Sequence, residues 1–117
     1  MRKIFYLLTC STCKRILSGI KDLDSFELQD VKTTKLSLEQ LEELKNMAGS
    51  YEALFSRRSR QYSAMNLKEK SLREDDYKSL ILKEYSFLKR PVSVVNKDIF
   101  IGSSKSEVEA LYSKVNQ

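Results

Sequence analysis

Two cysteines, Cys10 and Cys13, stand three positions apart in the segment Cys10-Ser11-Thr12-Cys13. A pair with this spacing supports thiol–disulfide exchange, because one thiolate attacks and the other thiol then closes a disulfide. The apolar residues 3–8 predict a strand before the pair, and the pattern from Ser11 onward predicts a helix. Cys10 would then stand at the helix N-terminus, where free N–H groups and the helix dipole lower the pKa of a thiol.

Cys13 would lie one helical turn after Cys10 and on the same face, near disulfide-bridging distance. The neighbouring Lys14 and Arg15 add local positive charge. Cys10 is therefore predicted as the attacking thiolate and Cys13 as the resolving thiol. Two alternatives remain: a zinc site completed by carboxylates or a second subunit, and a pair of inert, partly buried thiols.

The chain contains no histidine, which excludes several kinds of site. Ser-His-Asp and Cys-His catalytic pairs, His-ligated zinc proteases, phosphohistidine chemistry and c-type haem attachment all require that residue. The length of 117 residues, with 41% hydrophobic and 32% charged residues, is typical of one globular domain.

The apolar start of the chain is too short for a signal peptide, whose apolar core spans roughly 7–15 residues, or for a membrane span. We expect a cytoplasmic protein with no membrane association. The net charge of +5 favours anionic partners, although a solvated basic surface explains it equally well. Direct nucleic-acid binding is not expected, because no helix-turn-helix, zinc finger or aromatic-studded strand pair is present.

The chain begins with a strand–helix–strand pattern and continues into a helical block. A helix over residues 11–18, stopped at Gly19, connects strands at residues 3–8 and 25–29, which must then be parallel. Residues 36–88 are predicted to be mainly helical, interrupted near Gly49. Two capping boxes should start helices in this block, one pairing Ser37 with Gln40 and the other Ser71 with Glu74.

The C-terminal part returns to strands. Residues 92–95 and 99–101 predict an antiparallel hairpin with a polar turn at residues 96–98. A third capping box, Ser104 with Glu107, predicts a final helix. The complete order is β-α-β, a helical insertion, and β-β-α. With CxxC after the first strand, this order favours an α/β, thioredoxin-like fold.

Three segments together resemble a known family over nearly the whole chain: YLLTCSTCKRIL, ALFSRRSRQYSAMNL, and FLKRPVSVV followed by IFIG and SEVEAL. They are similar to the arsenate reductase (ArsC)/Spx family of thioredoxin-like proteins. The resemblance implies a four-stranded mixed sheet with a helical insertion. We therefore expect a single domain over residues 1–117, with residues 1–35 and 89–117 as the redox core and 36–88 as the insertion.

The resemblance also implies roles for individual residues. Cys10 corresponds to the attacking cysteine, Arg90 to an arginine near that thiol, Pro91 to a cis-proline, and Arg58 to an arginine of the central Spx-like motif. A guanidinium presents paired donors that suit an oxyanion. Alternatives are a solvated Arg58 and an ordinary trans Pro91. Cys10, Cys13, Arg58 and Arg90 are the expected catalytic residues, and the expected substrate-binding residues are Ser11, Thr12, Arg57 and Pro91.

The resulting hypothesis is a cytosolic thiol oxidoreductase that resembles glutaredoxin-linked arsenate reductase. It would act on a small oxyanion or a disulfide with no bound cofactor or metal. An external thiol, either glutathione with glutaredoxin or thioredoxin, would be the reductant. Because those reductases have serine at the position of Cys13, the CxxC pair also resembles Spx, a redox-sensing regulator that binds the RNA polymerase α subunit. A third alternative is a domain of this fold without redox function.

Overall fold

A computed structural model describes residues 1–116 of the chain, which form two compact units. The first unit contains Met1–Thr34 together with the chain from Arg90 onward, and the second is Lys35–Lys89. No helix in the described part of the chain has the length and apolar character that a membrane span requires.

The first unit is built on a four-stranded mixed sheet. Its strands are β1 (Arg2–Tyr6), β2 (Glu27–Asp30), β3 (Val92–Val95) and β4 (Asp98–Ile101), in the spatial order β2-β1-β3-β4. The β1–β2 pair is parallel, whereas β1–β3 and β3–β4 are antiparallel. The predicted α/β architecture is therefore confirmed, and β1 is a central strand.

Two helices, α1 (Ser11–Ser18) and the C-terminal helix Lys105–Val115, contribute to the apolar core of this unit. The bounds of α1 are those predicted from the sequence. The buried residues of this core come from the sheet, from both helices and from the chain that follows α1: Ile4, Ile16, Leu17, Ile20, Phe26, Val95 and Leu111. This packing fixes α1, and with it the Cys10–Cys13 segment, against the sheet.

The second strand differs from its prediction. Leu23–Ser25 forms a short 3-10 turn, so β2 begins two residues later than expected. Within β2, Leu28 is 41% exposed while Gln29 is buried. Gln29 tolerates burial because its side-chain amide donates a hydrogen bond to the carbonyl oxygen of Thr34 at 3.0 Å.

The second unit is mainly helical, as expected, and contains α2 (Leu38–Ala48), α3 (Arg60–Ala64) and α4 (Glu74–Lys83). Ser37 and Gln40 form the predicted capping box at the start of α2. Gly49 ends that helix with φ of +97°, a left-handed conformation that glycine adopts readily.

The predicted capping box at Ser71 is wrong. The helix α4 starts at Glu74 and is capped through Asp76, whose carboxylate accepts the Arg73 N–H at 2.8 Å. The Glu74 carboxylate instead accepts the backbone N–H groups of Tyr51 and Glu52 at 2.7 and 3.0 Å. Three consecutive acidic residues, 74–76, offer competing capping groups, and contacts distant in sequence decide among them.

The C-terminal hairpin has a shorter loop than predicted, because Asp98 already pairs with Val95. Asn96 in this loop has φ of +57°. The final helix, α5, is the Lys105–Val115 segment named above. Its Ser104 hydroxyl accepts the Glu107 N–H at 3.3 Å, whereas the Glu107 carboxylate accepts the Ile101 N–H at 3.3 Å. Only half of the predicted box therefore forms.

Gly19 provides space where α1 meets α5. A Cβ at this position would run into the Tyr112 hydroxyl, which donates a hydrogen bond to the Ile16 carbonyl at 2.8 Å. We expect Gly19→Ala to lower the free energy of unfolding by about 1–3 kcal/mol, as overpacking does. Urea titration measures this loss. Ser18→Ala, an exposed neighbour, should change stability much less, and an equal effect of both variants would contradict the steric explanation.

Candidate active site

Cys10 stands at the junction between β1 and α1. Its N–H donates to the Leu7 carbonyl at 3.0 Å, and its own carbonyl accepts the Lys14 N–H at 3.1 Å. Its backbone is extended, with φ of −90° and ψ of 112°, so the helical conformation begins at Ser11. The structure therefore places Cys10 at the N-terminus of α1, as predicted.

The Cys10 sulfur has several groups around it that favour the thiolate. Burial by itself raises the pKa of Cys10, whereas hydrogen bonds from the Cys13 backbone and thiol lower it. The Arg90 charge and the Thr12 backbone lower the Cys10 pKa further. The net pKa lies below the ordinary cysteine value, so more of the nucleophilic form is present near neutral pH.

Cys13 has the opposite character. Its side chain is fully buried, and this burial raises its pKa to about 11. A backbone hydrogen bond from Leu7 and the Arg90 charge act in the lowering direction, while the neighbouring Cys10 raises the Cys13 pKa further. Cys13 therefore remains a protonated thiol that can donate its proton toward the Cys10 sulfur.

Both cysteines are free thiols joined by a side-chain hydrogen bond. Cys10 is half-buried and acidified, whereas Cys13 is buried and protonated. This arrangement is suited to a first attack by Cys10 and a second step by Cys13, because the first sulfur is accessible and the second lies beside it.

Arg90 and Pro91 lie immediately before β3. They are the residues of the predicted site that come from the C-terminal part of the chain. The Arg90–Pro91 peptide bond is cis, as the resemblance implies. The Pro91 carbonyl accepts the Gly102 N–H at 2.8 Å, which fixes this turn within the first unit. Arg90 is close enough to both cysteines for its charge to lower the pKa of each.

Replacing Arg90 should raise the pKa of Cys10. In Arg90→Met, the pH midpoint of Cys10 alkylation by iodoacetamide is expected to move upward, because the guanidinium no longer stabilises the thiolate. Lys89→Met is the matched control, since it removes one positive charge from the adjacent residue. An unchanged midpoint in Arg90→Met, or an equal shift in both variants, would contradict a direct effect of Arg90.

The other predicted site residues, catalytic and substrate-binding, are distributed over both units. Ser11 is exposed and Thr12 half-buried at the start of α1, where the Thr12 backbone contacts the Cys10 sulfur. Arg57 and Arg58 belong to the second unit. There, Arg58 is exposed, whereas Arg57 bonds to Glu52.

Sequence reasoning did not identify Leu7 as part of the thiol environment. Leu7 contributes through its backbone, which bonds to the Cys13 sulfur and accepts the Cys10 N–H. No residue type signals such a role; only the position of Leu7 at the end of the first strand could have suggested it. Within residues 1–116, no group of three or more Cys, Asp or Glu side chains is arranged to hold a metal ion.

The sheet, the helix-terminal dithiol and the cis-proline define a thioredoxin-like domain of the oxidoreductase type. The ArsC family model matches residues 5–111, so the chain belongs to the ArsC family. No curated protein matches the sequence.

Solved structures share the fold along almost their whole length. An arsenate reductase from Vibrio cholerae is 18% identical, with a TM-score of 0.77 over 97% of this chain and 96% of that chain. A structure described as a possible arsenate reductase from Streptococcus mutans is 23% identical, with a TM-score of 0.75 over 95% and 97%. An ArsC-related protein from Brucella melitensis is 20% identical, with a TM-score of 0.71 over 95% and 93%. At these identities the similarity establishes the fold.

Proposed function

We propose that this protein is a cytoplasmic thiol-dependent reductase of small oxyanions, with arsenate as the substrate to test first. The observation that carries the proposal is the pair of unlike thiols, in which Cys10 has a lowered pKa and Cys13 a raised one. Family membership and the names of solved relatives, such as the arsenate reductase from Vibrio cholerae, support arsenate as the candidate.

The proposed reaction has two steps on the protein. The Cys10 thiolate attacks the arsenic atom of arsenate, so that an S–As bond forms and one oxygen leaves as water after protonation. The Cys13 thiol then gives its proton to an oxygen of the arsenic adduct, and its sulfur attacks the Cys10 sulfur. An S–S bond forms, the S–As bond breaks, and its electron pair remains on arsenic, which is reduced from As(V) to As(III).

Arginine side chains are proposed to bind the negative charge of the substrate. The support for Arg90 is its electrostatic effect on both cysteines. The support for Arg58 is the family motif together with the exposure of its side chain. We propose that polar groups of Ser11, Thr12 and the Pro91 segment orient the oxyanion. Ser11 and Thr12 follow Cys10 in sequence, and Pro91 follows Arg90.

An external thiol must restore the dithiol after each turnover. Two glutathione molecules, with or without glutaredoxin, or one thioredoxin dithiol supply the two electrons and two protons that the Cys10–Cys13 disulfide requires. An external thiol could also replace Cys13 by attacking the Cys10 adduct. We favour Cys13 because it already hydrogen-bonds the Cys10 sulfur.

The proposal is tested by arsenate-dependent oxidation of each reductant, followed through NADPH consumption by glutathione reductase or thioredoxin reductase. Phosphate, an isosteric anion that these thiols do not reduce, is the matched control. Arsenate-dependent NADPH consumption with arsenite as product would support the proposal. Equal rates with arsenate and phosphate would contradict it.

A Spx-like regulator is the second candidate, favoured by the presence of both cysteines in hydrogen-bonding contact. Oxidation would join them in a disulfide and change the surface at the start of α1. Pull-down with the RNA polymerase α subunit, using the oxidised and the reduced protein, tests this candidate. Retention that depends on redox state would support it, and no retention in either state would remove it.

A further inference from the structure

The reduced dithiol is also a pair of sulfur ligands held next to each other. The Cys13 thiol donates a hydrogen bond toward the Cys10 sulfur, so the two sulfurs are neighbours. The Lys14 N–H donates to the Cys10 carbonyl at 3.1 Å, and the Cys10 N–H donates to the Leu7 carbonyl at 3.0 Å. Because these bonds fix the backbone of the pair, a ligand that binds both sulfurs removes little further chain freedom.

The surroundings of the pair favour an uncharged ligand that needs only two protein sulfurs. Among the residues that the structure describes, no group of three or more Cys, Asp or Glu side chains could hold a metal ion, and a tetrahedral zinc site would need two more protein ligands. Arg90 lies close enough to both sulfurs for its positive charge to act on each, which opposes binding of a divalent cation. Arsenous acid, As(OH)₃, meets both conditions, because it is uncharged near neutral pH and its soft As(III) atom forms three bonds.

We propose that the reduced Cys10–Cys13 pair binds arsenous acid through two S–As bonds, with one hydroxyl left on the arsenic. The Cys10 sulfur replaces one hydroxyl of As(OH)₃, and the Cys13 sulfur replaces a second. Two S–As bonds form and two As–O bonds break. Each displaced hydroxyl leaves as water, taking the thiol proton of Cys13 and, for ionised Cys10, a proton from solvent. Arsenic stays As(III) throughout, so the step consumes no reductant.

The different exposure of the two thiols sets the order in which these bonds form. Cys10 is half-buried and Cys13 is fully buried, so the arsenic atom meets Cys10 first. Cys13 then needs no approach through solvent, because it already lies in hydrogen-bonding contact with the Cys10 sulfur. The second bond is intramolecular and is therefore far more favourable than the same bond to a separate thiol.

Arsenous acid bound in this way would make the protein subject to inhibition by its own product. This part of the inference rests on the proposed function, in which arsenite is formed from arsenate, whereas the binding itself does not. The reduced dithiol is the form that attacks arsenate and also the form that binds arsenous acid, so the two compete. Added arsenite should therefore raise the KM for arsenate and leave kcat unchanged.

Protection of Cys10 against alkylation measures the binding without any turnover. Reduced protein, desalted under argon, is titrated with arsenite, treated with iodoacetamide for a fixed time and analysed by mass spectrometry. Half-protection in Cys13→Ser should require at least about 10²-fold more arsenite than in the wild type, because only one sulfur is left. The intact wild-type mass should rise by one AsOH unit less two hydrogens. Equal half-protection concentrations would overturn the proposal, because a single sulfur would then explain the binding.

A second comparison avoids any substitution of the fully buried Cys13. Wild-type protein is prepared in its reduced form and with the Cys10–Cys13 disulfide formed, and both forms are dialysed to equilibrium against arsenite. Reduced protein should hold one arsenic per chain, and oxidised protein should hold none. Equal amounts of arsenic in the two forms would place the binding outside the thiol pair and overturn the proposal.

These measurements separate failure of this inference from failure of the proposed function. If arsenite protects Cys10 as predicted but arsenate is not reduced, the proposed function and product inhibition fail, while the binding site stands. If arsenate is reduced but arsenite neither protects Cys10 nor raises the KM for arsenate, the inference is wrong and the proposed function stands. Protection accompanied by a fall in kcat at unchanged KM would contradict competition for the reduced dithiol.

Discussion

Replacing Cys10 with serine is expected to reduce turnover by roughly 10⁴-fold or more, the scale seen when a nucleophile is removed. A serine hydroxyl at this position stays protonated near neutral pH, so the groups that stabilise the Cys10 thiolate have no anion to stabilise. The measurement is arsenate-dependent reductant oxidation at saturating substrate.

The Cys10→Ser variant must be compared with the wild type in folding as well as in activity. Circular dichroism and urea titration should show the same fold, because Cys10 is only half-buried and serine is similar in size. Turnover within tenfold of wild type in a folded Cys10→Ser protein would contradict the role of Cys10 as nucleophile.

Replacing Cys13 with serine is expected to stop the reaction after the first attack. The Cys10 adduct should accumulate, and turnover with thioredoxin should fall by at least about 10²-fold, because the intramolecular thiol that breaks the S–As bond is lost. Mass spectrometry of the quenched protein would show the adduct on Cys10 and its absence in the Cys10→Ser variant.

In the Cys13→Ser experiment, the choice of reductant distinguishes resolution by Cys13 from resolution by an external thiol. If glutathione alone supports the wild-type rate in Cys13→Ser, an external thiol resolves the adduct and Cys13 has no resolving role.

Much of the fold followed from local patterns. The parallel pairing of β1 with β2 was predictable, because a short helical connection between two strands requires it. The start of α2 at Ser37 was predictable because the capping box is local in sequence. The start of α4 was not, since Glu74 binds the backbone of Tyr51, which is 23 residues away.

The candidate site was predictable to a similar degree. Spacing and position indicated Cys10 at a helix N-terminus, and the resemblance indicated Arg90 beside it. The Cys13 pKa of about 11 depends on complete burial, which spacing does not reveal. The hydrogen bond from Arg57 to Tyr77 was equally hidden, because the two residues are 20 positions apart in the chain.

A single turnover without external thiol tests the central claim most directly. Fully reduced protein is mixed with arsenate, quenched at intervals with acid, and analysed for arsenite and for the Cys10–Cys13 disulfide by peptide mass spectrometry. The account predicts one disulfide and one arsenite per chain, formed at the same rate. Arsenite release with both cysteines still free, or no arsenite from folded and fully reduced protein, would contradict it.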